Sequence, residues 1–100
     1  MKISNILMKA HRELKQIKYS YGNAHEKTTC ALGALVYYIT KTRTCQWSEM
    51  NATERQYANE LILISNLGNQ FMITHYNDDL GWSFYKIAEK ARKAEKWLHR

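Results

Sequence analysis

Cys30 is the residue of this 100-residue chain whose type and position most directly suggest catalysis. It lies in the stretch TTCALG, residues 28–33, which is typical of the first turn of a buried helix. A helix N-terminus lowers the pKa of a thiol, and His75 could act as its base, as in papain-like enzymes. However, small and apolar residues follow Cys30, and no flanking glycine exposes the thiol. We therefore expect Cys30 to pack in the core, and a cysteine hydrolase is the weakest of our functional hypotheses.

The other residues that could bind a metal do not form a recognisable site. The four histidines are widely spaced, and the chain has neither a Cys-x-x-Cys nor a His-x-x-x-His pair, which are common spacings of metal ligands. No glycine-rich loop that could cradle a phosphate is present. We therefore expect neither a metal nor a cofactor.

The chain is basic, with a formal net charge of +6. Much of the excess lies in two helical segments near the ends of the chain, at Lys9, Arg12, Lys15, Lys18, Lys86, Lys90, Arg92, Lys93 and Lys96. Such a charge permits nucleic acid, an acidic protein surface or an anionic membrane as partner, and does not choose among them. The simplest alternative is a lysine-rich surface that only contacts solvent.

Candidate binding residues cluster in the last third of the chain. Asn77 and Asp78 belong to a predicted turn that could bind a cation or the backbone of a partner, although most such turns only reverse the chain. Trp82 is the better anchor for an interface, unless it only docks the last helix on the core. The basic candidates are Lys86, Arg92, Lys93 and Lys96.

The elements that must position these residues are predicted to be helices. Apolar residues recur at helical spacing, which predicts an all-α or nearly all-α single domain over residues 1–100. We expect four helices, over residues 3–17, 29–41, 52–66 and 83–98. Residues 70–76 alternate between apolar and polar types, which leaves open a short extended segment there. The apolar run at 61–64 predicts that the third helix is the most buried.

Residues at the ends of these segments predict where the helices begin and end. Suitable N-terminal caps are Ser4, Thr28 or Thr29, Asn51 with Glu54 as a capping box, and Ser83. Gly68 is placed to end the third helix. Gly33 lies inside the second helix, where glycine costs about 1 kcal/mol relative to alanine, so we expect another segment to pass close to its backbone. Trp47 is expected to fold back onto the core.

Length and composition exclude several classes of protein. One hundred residues are enough for one domain, and the absence of proline favours helices over a strand-rich sandwich. Charged residues interrupt the first apolar segment, so we expect no signal peptide. No stretch approaches the roughly 18 apolar residues that span a bilayer. We expect a cytoplasmic protein that binds no membrane and keeps Cys30 and Cys45 reduced.

The chain resembles an uncharacterised family of small proteins from phage and bacterial genomes. Four pieces carry the resemblance, namely an aromatic turn at 19–22, a Cys-Ala-x-Gly-Ala-Leu helix start at 30–35, an aromatic-Asn-Asp turn at 76–78 and a final Ala-rich helix over 83–94. Members more often carry tryptophan where Tyr76 stands here. The resemblance implies the helical fold and no particular reaction.

These observations support three hypotheses of function. The leading one is a non-enzymatic interaction protein of phage or mobile-element type that occupies an acidic surface of a larger protein or nucleoprotein complex, for example a CRISPR complex that it inhibits. The second is direct binding of nucleic acid through the basic first and last helices. The third is the cysteine hydrolase with Cys30 and His75. The oligomeric state is not predicted.

Overall fold

The computed structural model of the chain describes the backbone of residues 1–98 and the side chains of residues 1–96. Its helices are α1 (Ile3–Glu13), α2 (Ala31–Ile39), α3 (Ala52–Ser65), α4 (Gln70–Asp78) and α5 (Phe84–Leu98), with a short 3-10 helix at Trp47–Glu49. Three two-residue strands are β1 (Lys15–Gln16), β2 (Gly22–Asn23) and β3 (Thr28–Thr29). The domain is therefore mostly helical, but it is not the strictly four-helix arrangement that the sequence predicts. The side chain of Leu98, for which burial is predicted, lies outside the described side chains. His99 lies outside the described residues.

The first predicted helix is too long, because the chain leaves the helix to join a small sheet. Leu14 is extended, with φ −122° and ψ 153°. The strand order is β1-β3-β2, with β1 parallel to β3 and β2 antiparallel to it. The Ile17 N–H donates to the Thr29 carbonyl at 2.9 Å. This pairing satisfies backbone groups that a longer α1 would have satisfied within itself.

The extended segment considered for residues 70–76 is wrong, because these residues belong to α4. The Asn69 side chain caps this helix by accepting the Met72 N–H at 3.0 Å. Its buried residues are Ile73 and Asn77, which are four apart as helical geometry requires. The apparent alternation at Phe71 does not reflect burial, since that side chain is 73% exposed. The predicted turn at Asn77 and Asp78 is likewise the last turn of α4.

The second helix begins two residues later than predicted, ends two residues earlier, and is the most buried one. Thr28 and Thr29 form β3, and Cys30 takes the N-cap position instead. Every residue from Ala31 to Tyr37 is buried, whereas Leu63 in α3 is 79% exposed. The prediction that α3 is the most buried helix is therefore wrong, since its apolar run covers more than one face.

Gly33 has the close neighbour that the sequence predicts. A Cβ at this position would lie 2.0 Å from the carbonyl oxygen of Tyr21. The chain between β1 and β2 therefore packs directly on the backbone of α2, and only glycine fits there.

The predicted caps are partly confirmed. Asn51 and Glu54 form the capping box of α3, and the Ser83 hydroxyl accepts the Lys86 N–H at 3.1 Å at the start of α5. Asn66, with φ 55°, ends α3 in place of Gly68. Ser4 does not begin α1, because the N-cap is Lys2.

The core lies mainly between α1, α2 and α5. Ser4 at the start of α1 contacts Glu95 near the end of α5. At the other end of α1, the His11 ring lies 6.2 Å from the ring of Tyr85, which is at the start of α5. The two helices therefore run antiparallel. The predicted buried face of α5 is confirmed at Phe84, Ile87, Ala88 and Ala91. Trp47 packs on this core as predicted.

Candidate functional site

The most distinctive surface feature is a groove along α5 that carries three lysines. Lys86, Lys90 and Lys93 follow each other at helical spacings of four and three, which places them on one face. We call this feature the lysine groove. Its volume is about 510 Å³, and its lining residues are Asn66, Trp82, Lys86, Glu89, Lys90, Lys93 and Ala94. The opposite face of α5 is buried in the core, so the fold fixes the direction in which the ammonium groups point.

Trp82 lines the lysine groove, and Tyr76 stacks on it. The rings of Tyr76 and Trp82 lie nearly parallel, with centroids 4.7 Å apart and planes 6° apart. The Lys86 ammonium lies 4.6 Å from the Trp82 ring centroid, and the Lys90 ammonium lies 5.8 Å from that of Tyr76. Such cation–π contacts contribute about 0.5–1 kcal/mol each at exposed sites. They reduce the freedom of the lysine side chains before any partner arrives.

Gln16 holds the loop that presents Trp82. Its Nε2 donates to the Trp82 carbonyl at 2.8 Å, and its Oε1 accepts the Phe84 N–H at 2.8 Å. The Trp82 N–H in turn donates to the Tyr76 carbonyl at 2.9 Å. Nothing in the sequence indicated this role, because Gln16 is distant in the chain and was predicted to lie on a helix.

Asn77 is buried under this loop and is not part of the exposed surface. Its side chain is 0% exposed. Its Oδ1 accepts from Gln16 Nε2 at 2.7 Å and from the Ala31 N–H at 2.9 Å. Its Nδ2 donates to the Ile17 carbonyl at 2.9 Å and to Asp78 Oδ1 at 2.8 Å. All four hydrogen-bonding positions of the amide are thus used inside the chain, so Asn77 joins β1, α2 and α4 rather than facing a partner.

Asp78, Arg92 and Lys96 do not line the groove. The half-buried Asp78 carboxylate accepts the Tyr19 N–H at 2.9 Å and so fixes the chain after β1. Arg92 and Lys96 are exposed on the flank of α5. The Arg92 guanidinium lies 3.3 Å from the Glu89 carboxylate, one helical turn away. Of the binding residues predicted from the sequence, Trp82, Lys86 and Lys93 line the groove. Lys90 also lines it but was not among the predicted binding residues.

The Cys30 thiol packs in the core, as the sequence predicts. It is buried, and its Sγ accepts the Gly33 N–H at 3.3 Å as the N-cap of α2. Burial raises the pKa of Cys30, in spite of the opposing hydrogen bond from Gly33. The His75 Nδ1 pairs instead with Asp79 Oδ2 at 2.7 Å, one turn further along α4, and both side chains are exposed.

The described part of the chain has neither a cluster of metal ligands nor a membrane-spanning helix. Among its side chains, no three His, Cys, Asp or Glu residues lie close enough together to hold a metal ion. None of the helices within residues 1–98 is both long and apolar enough to cross a membrane.

Comparisons of the chain with models of protein families, with curated proteins and with solved structures found no match. The resemblance to a family of small phage and bacterial proteins therefore stays a prediction.

Proposed function

We propose that this protein is a non-enzymatic interaction module that binds an acidic surface of a larger protein or nucleoprotein complex through the lysine groove. One observation carries the proposal, namely that α5 presents Lys86, Lys90 and Lys93 in a single groove beside the Trp82 ring. An aromatic anchor surrounded by complementary charges is a common arrangement at protein interfaces.

The chemistry of the groove favours carboxylates over a phosphate backbone. Proteins that bind single-stranded nucleic acid present open aromatic faces on which bases stack. Here Tyr76 stacks on Trp82 and the Lys86 ammonium lies over the same ring, so the Trp82 faces are already occupied.

Glu89 adds selectivity to the groove. It is the acidic lining residue, and its carboxylate is partly neutralised by Arg92 at 3.3 Å. A partner must therefore place its carboxylates against the three lysines and away from Glu89, because like charges brought together at an interface are unfavourable. The pattern of acidic residues on the partner, and not only its net charge, then decides binding.

The biological setting that we propose is inhibition of a host complex in the cytoplasm. A small domain that occupies a surface of a larger assembly blocks that surface without any chemistry of its own. The resemblance to small phage proteins supports this setting, and a CRISPR complex is one concrete target.

The second candidate function is direct binding of nucleic acid, which the net charge of +6 permits. Binding of fluorescent poly-L-glutamate and of an oligothymidylate of equal charge, each measured over a range of salt concentrations, distinguishes the two functions. We expect poly-L-glutamate to bind about tenfold or more tightly, a difference of about 1.4 kcal/mol. Tighter binding of the oligothymidylate, with a steep fall in affinity as salt rises, would support the second function instead.

A further inference from the structure

A second depression in the surface lies between α1 and α2, away from the lysine groove. We call it the α1–α2 cleft. It has a volume of about 400 Å³, within the range of about 300–1,000 Å³ that is usual for small-molecule sites. Its lining residues include Ile6, Lys9, Glu13, Tyr37, Tyr38, Lys41 and Thr42.

The walls of the cleft are apolar and aromatic. The rings of Tyr37 and Tyr38 meet edge to face, with centroids 5.2 Å apart, and Ile6 is buried beside them. The Tyr38 hydroxyl donates to Glu13 Oε1 at 2.7 Å, and burial together with this bond raises the pKa of Tyr38. The tyrosine therefore stays neutral and keeps Glu13 engaged.

The backbone at the mouth of the cleft is strained. Lys41 and Thr42 follow each other with φ 54° and 68°. One left-handed residue is a common way to end a helix, but a β-branched threonine in this conformation is an outlier. A hydrogen bond of 2.7 Å from the Thr42 N–H to the Tyr37 carbonyl holds Thr42 in this conformation. Strain of this kind is concentrated at functional sites, and here it brings Lys41 and Thr42 to the cleft.

The mouth of the cleft carries more positive than negative charge, because Lys9 and Lys41 outnumber Glu13. The Lys9 ammonium lies 5.2 Å from the Tyr38 ring centroid. Among the side chains of residues 1–96, the ion pairs join other residues, and neither Lys9 nor Lys41 takes part in one. The one carboxylate that lines the cleft, Glu13, is held by Tyr38.

We propose that the α1–α2 cleft binds a small amphipathic anion, whose apolar body lies against Tyr37, Tyr38 and Ile6. Its carboxylate, sulfonate or phosphate then meets the ammonium groups of Lys9 and Lys41. This site is separate from the lysine groove and does not depend on the function proposed for it.

The test uses 8-anilinonaphthalene-1-sulfonate, an aromatic anion, as the probe. Its fluorescence is titrated with the wild type, with the double variant Lys9→Glu and Lys41→Glu, and with Lys18→Glu. Lys18 is exposed and lies beside Gly81, so it is a control for charge outside the cleft. Each titration is repeated by NMR to map the backbone amides that the probe shifts.

We expect the wild type to bind the probe with amide shifts concentrated at residues 5–13 and 37–42. The double variant should lose about tenfold in affinity, or about 1.4 kcal/mol, while Lys18→Glu should change it by less than about twofold. Glu13→Gln should strengthen binding, because it removes the negative charge from the mouth. Equal losses in the cleft variant and the control would overturn the proposal, as would shifts centred on the exposed Leu63 and Phe71.

Discussion

Ser4 and Glu95, which are 91 residues apart in the chain, form a buried hydrogen bond of 2.5 Å between the Ser4 hydroxyl and the Glu95 carboxylate. The Ser4 N–H also donates to the other carboxylate oxygen at 3.4 Å. The N-cap of α1, Lys2, makes no side-chain cap hydrogen bond. Glu95 therefore caps α1 from α5, and its negative charge meets the positive end of the α1 dipole.

Replacing Glu95 with alanine should destabilise the protein by about 1.5–3 kcal/mol, because it leaves Ser4 without its charged acceptor in the interior. Urea melts of Glu95→Ala, Ser4→Ala and the double variant give the coupling energy, which we expect to exceed about 0.5 kcal/mol. Strictly additive effects of the two substitutions would contradict a direct bond between the two residues.

Asn77→Leu should be among the most destabilising single substitutions, with a loss of more than about 2 kcal/mol. It leaves the Ala31 N–H and the Ile17 carbonyl without their Asn77 partner in the interior and removes one of the hydrogen bonds of Gln16 Nε2. Chemical denaturation measures the loss. The exposed Asn59 of α3 provides the control, because Asn59→Leu should change stability by less than about 0.5 kcal/mol. A comparably small effect at Asn77 would show that the amide network does not hold these elements together.

Gly33→Ala tests the contact between α2 and the chain at Tyr21. Helix propensity alone favours alanine by about 1 kcal/mol. The new Cβ would meet the Tyr21 carbonyl oxygen at 2.0 Å, so we expect a net loss of stability that exceeds this gain. The free energy of unfolding from a urea melt decides the sign, and a stabilised variant would show that Tyr21 does not pack on α2.

The two thiols should be unreactive in the folded protein. Burial raises the pKa of Cys45 from 9.0 to about 11 and also raises that of Cys30. The neutral Cys45 thiol therefore stabilises the fold below about pH 9, and this contribution is lost as the pH rises through about 11. Accordingly, the stability difference between wild type and Cys45→Ala should shrink over that range.

Reaction with Ellman's reagent at pH 8 provides the second measurement of the thiols. We expect both cysteines to react only after urea unfolds the chain. Rapid reaction of Cys30 in the folded state would instead favour the hydrolase hypothesis.

Local signals in the sequence predicted the parts of the fold that depend on neighbouring residues. The capping box at Asn51 and the apolar stripe of α5 act within one or two turns, and the structure has both. The close approach at Gly33 could also be predicted, because a glycine inside a helix has a cost that packing must offset.

The remaining features depend on contacts that are distant in the sequence. The early end of α1 depends on pairing with Thr28 and Thr29, and short strands have no period of their own. The alternation of apolar and polar types over residues 70–76 suggested an extended segment, but it does not follow burial, since Phe71 is 73% exposed. For the candidate site, Trp82 and the α5 lysines were found from residue type, but Gln16 was not, because its contact with Trp82 crosses 66 residues.

In the function that we propose, three lysines in one groove, and not the net charge, bind an acidic partner. The groove variant replaces Lys86, Lys90 and Lys93 with glutamate. The control variant makes the same change in charge at exposed cations outside the groove, namely Arg12, Lys15 and Lys27. Both should fold. The control variant should change stability by less than about 1 kcal/mol, and the groove variant by about 1–2 kcal/mol, because it loses the two cation–π contacts of Lys86 and Lys90.

The most direct measurement compares the affinities of the wild type and the two variants for fluorescent poly-L-glutamate at physiological salt. We expect the groove variant to lose about a hundredfold or more, equivalent to about 2.7 kcal/mol. The control variant should lose less than about fivefold, because exposed charges distant from the groove are screened. Equal losses in the two variants, or binding by the groove variant at wild-type strength, would contradict the claim.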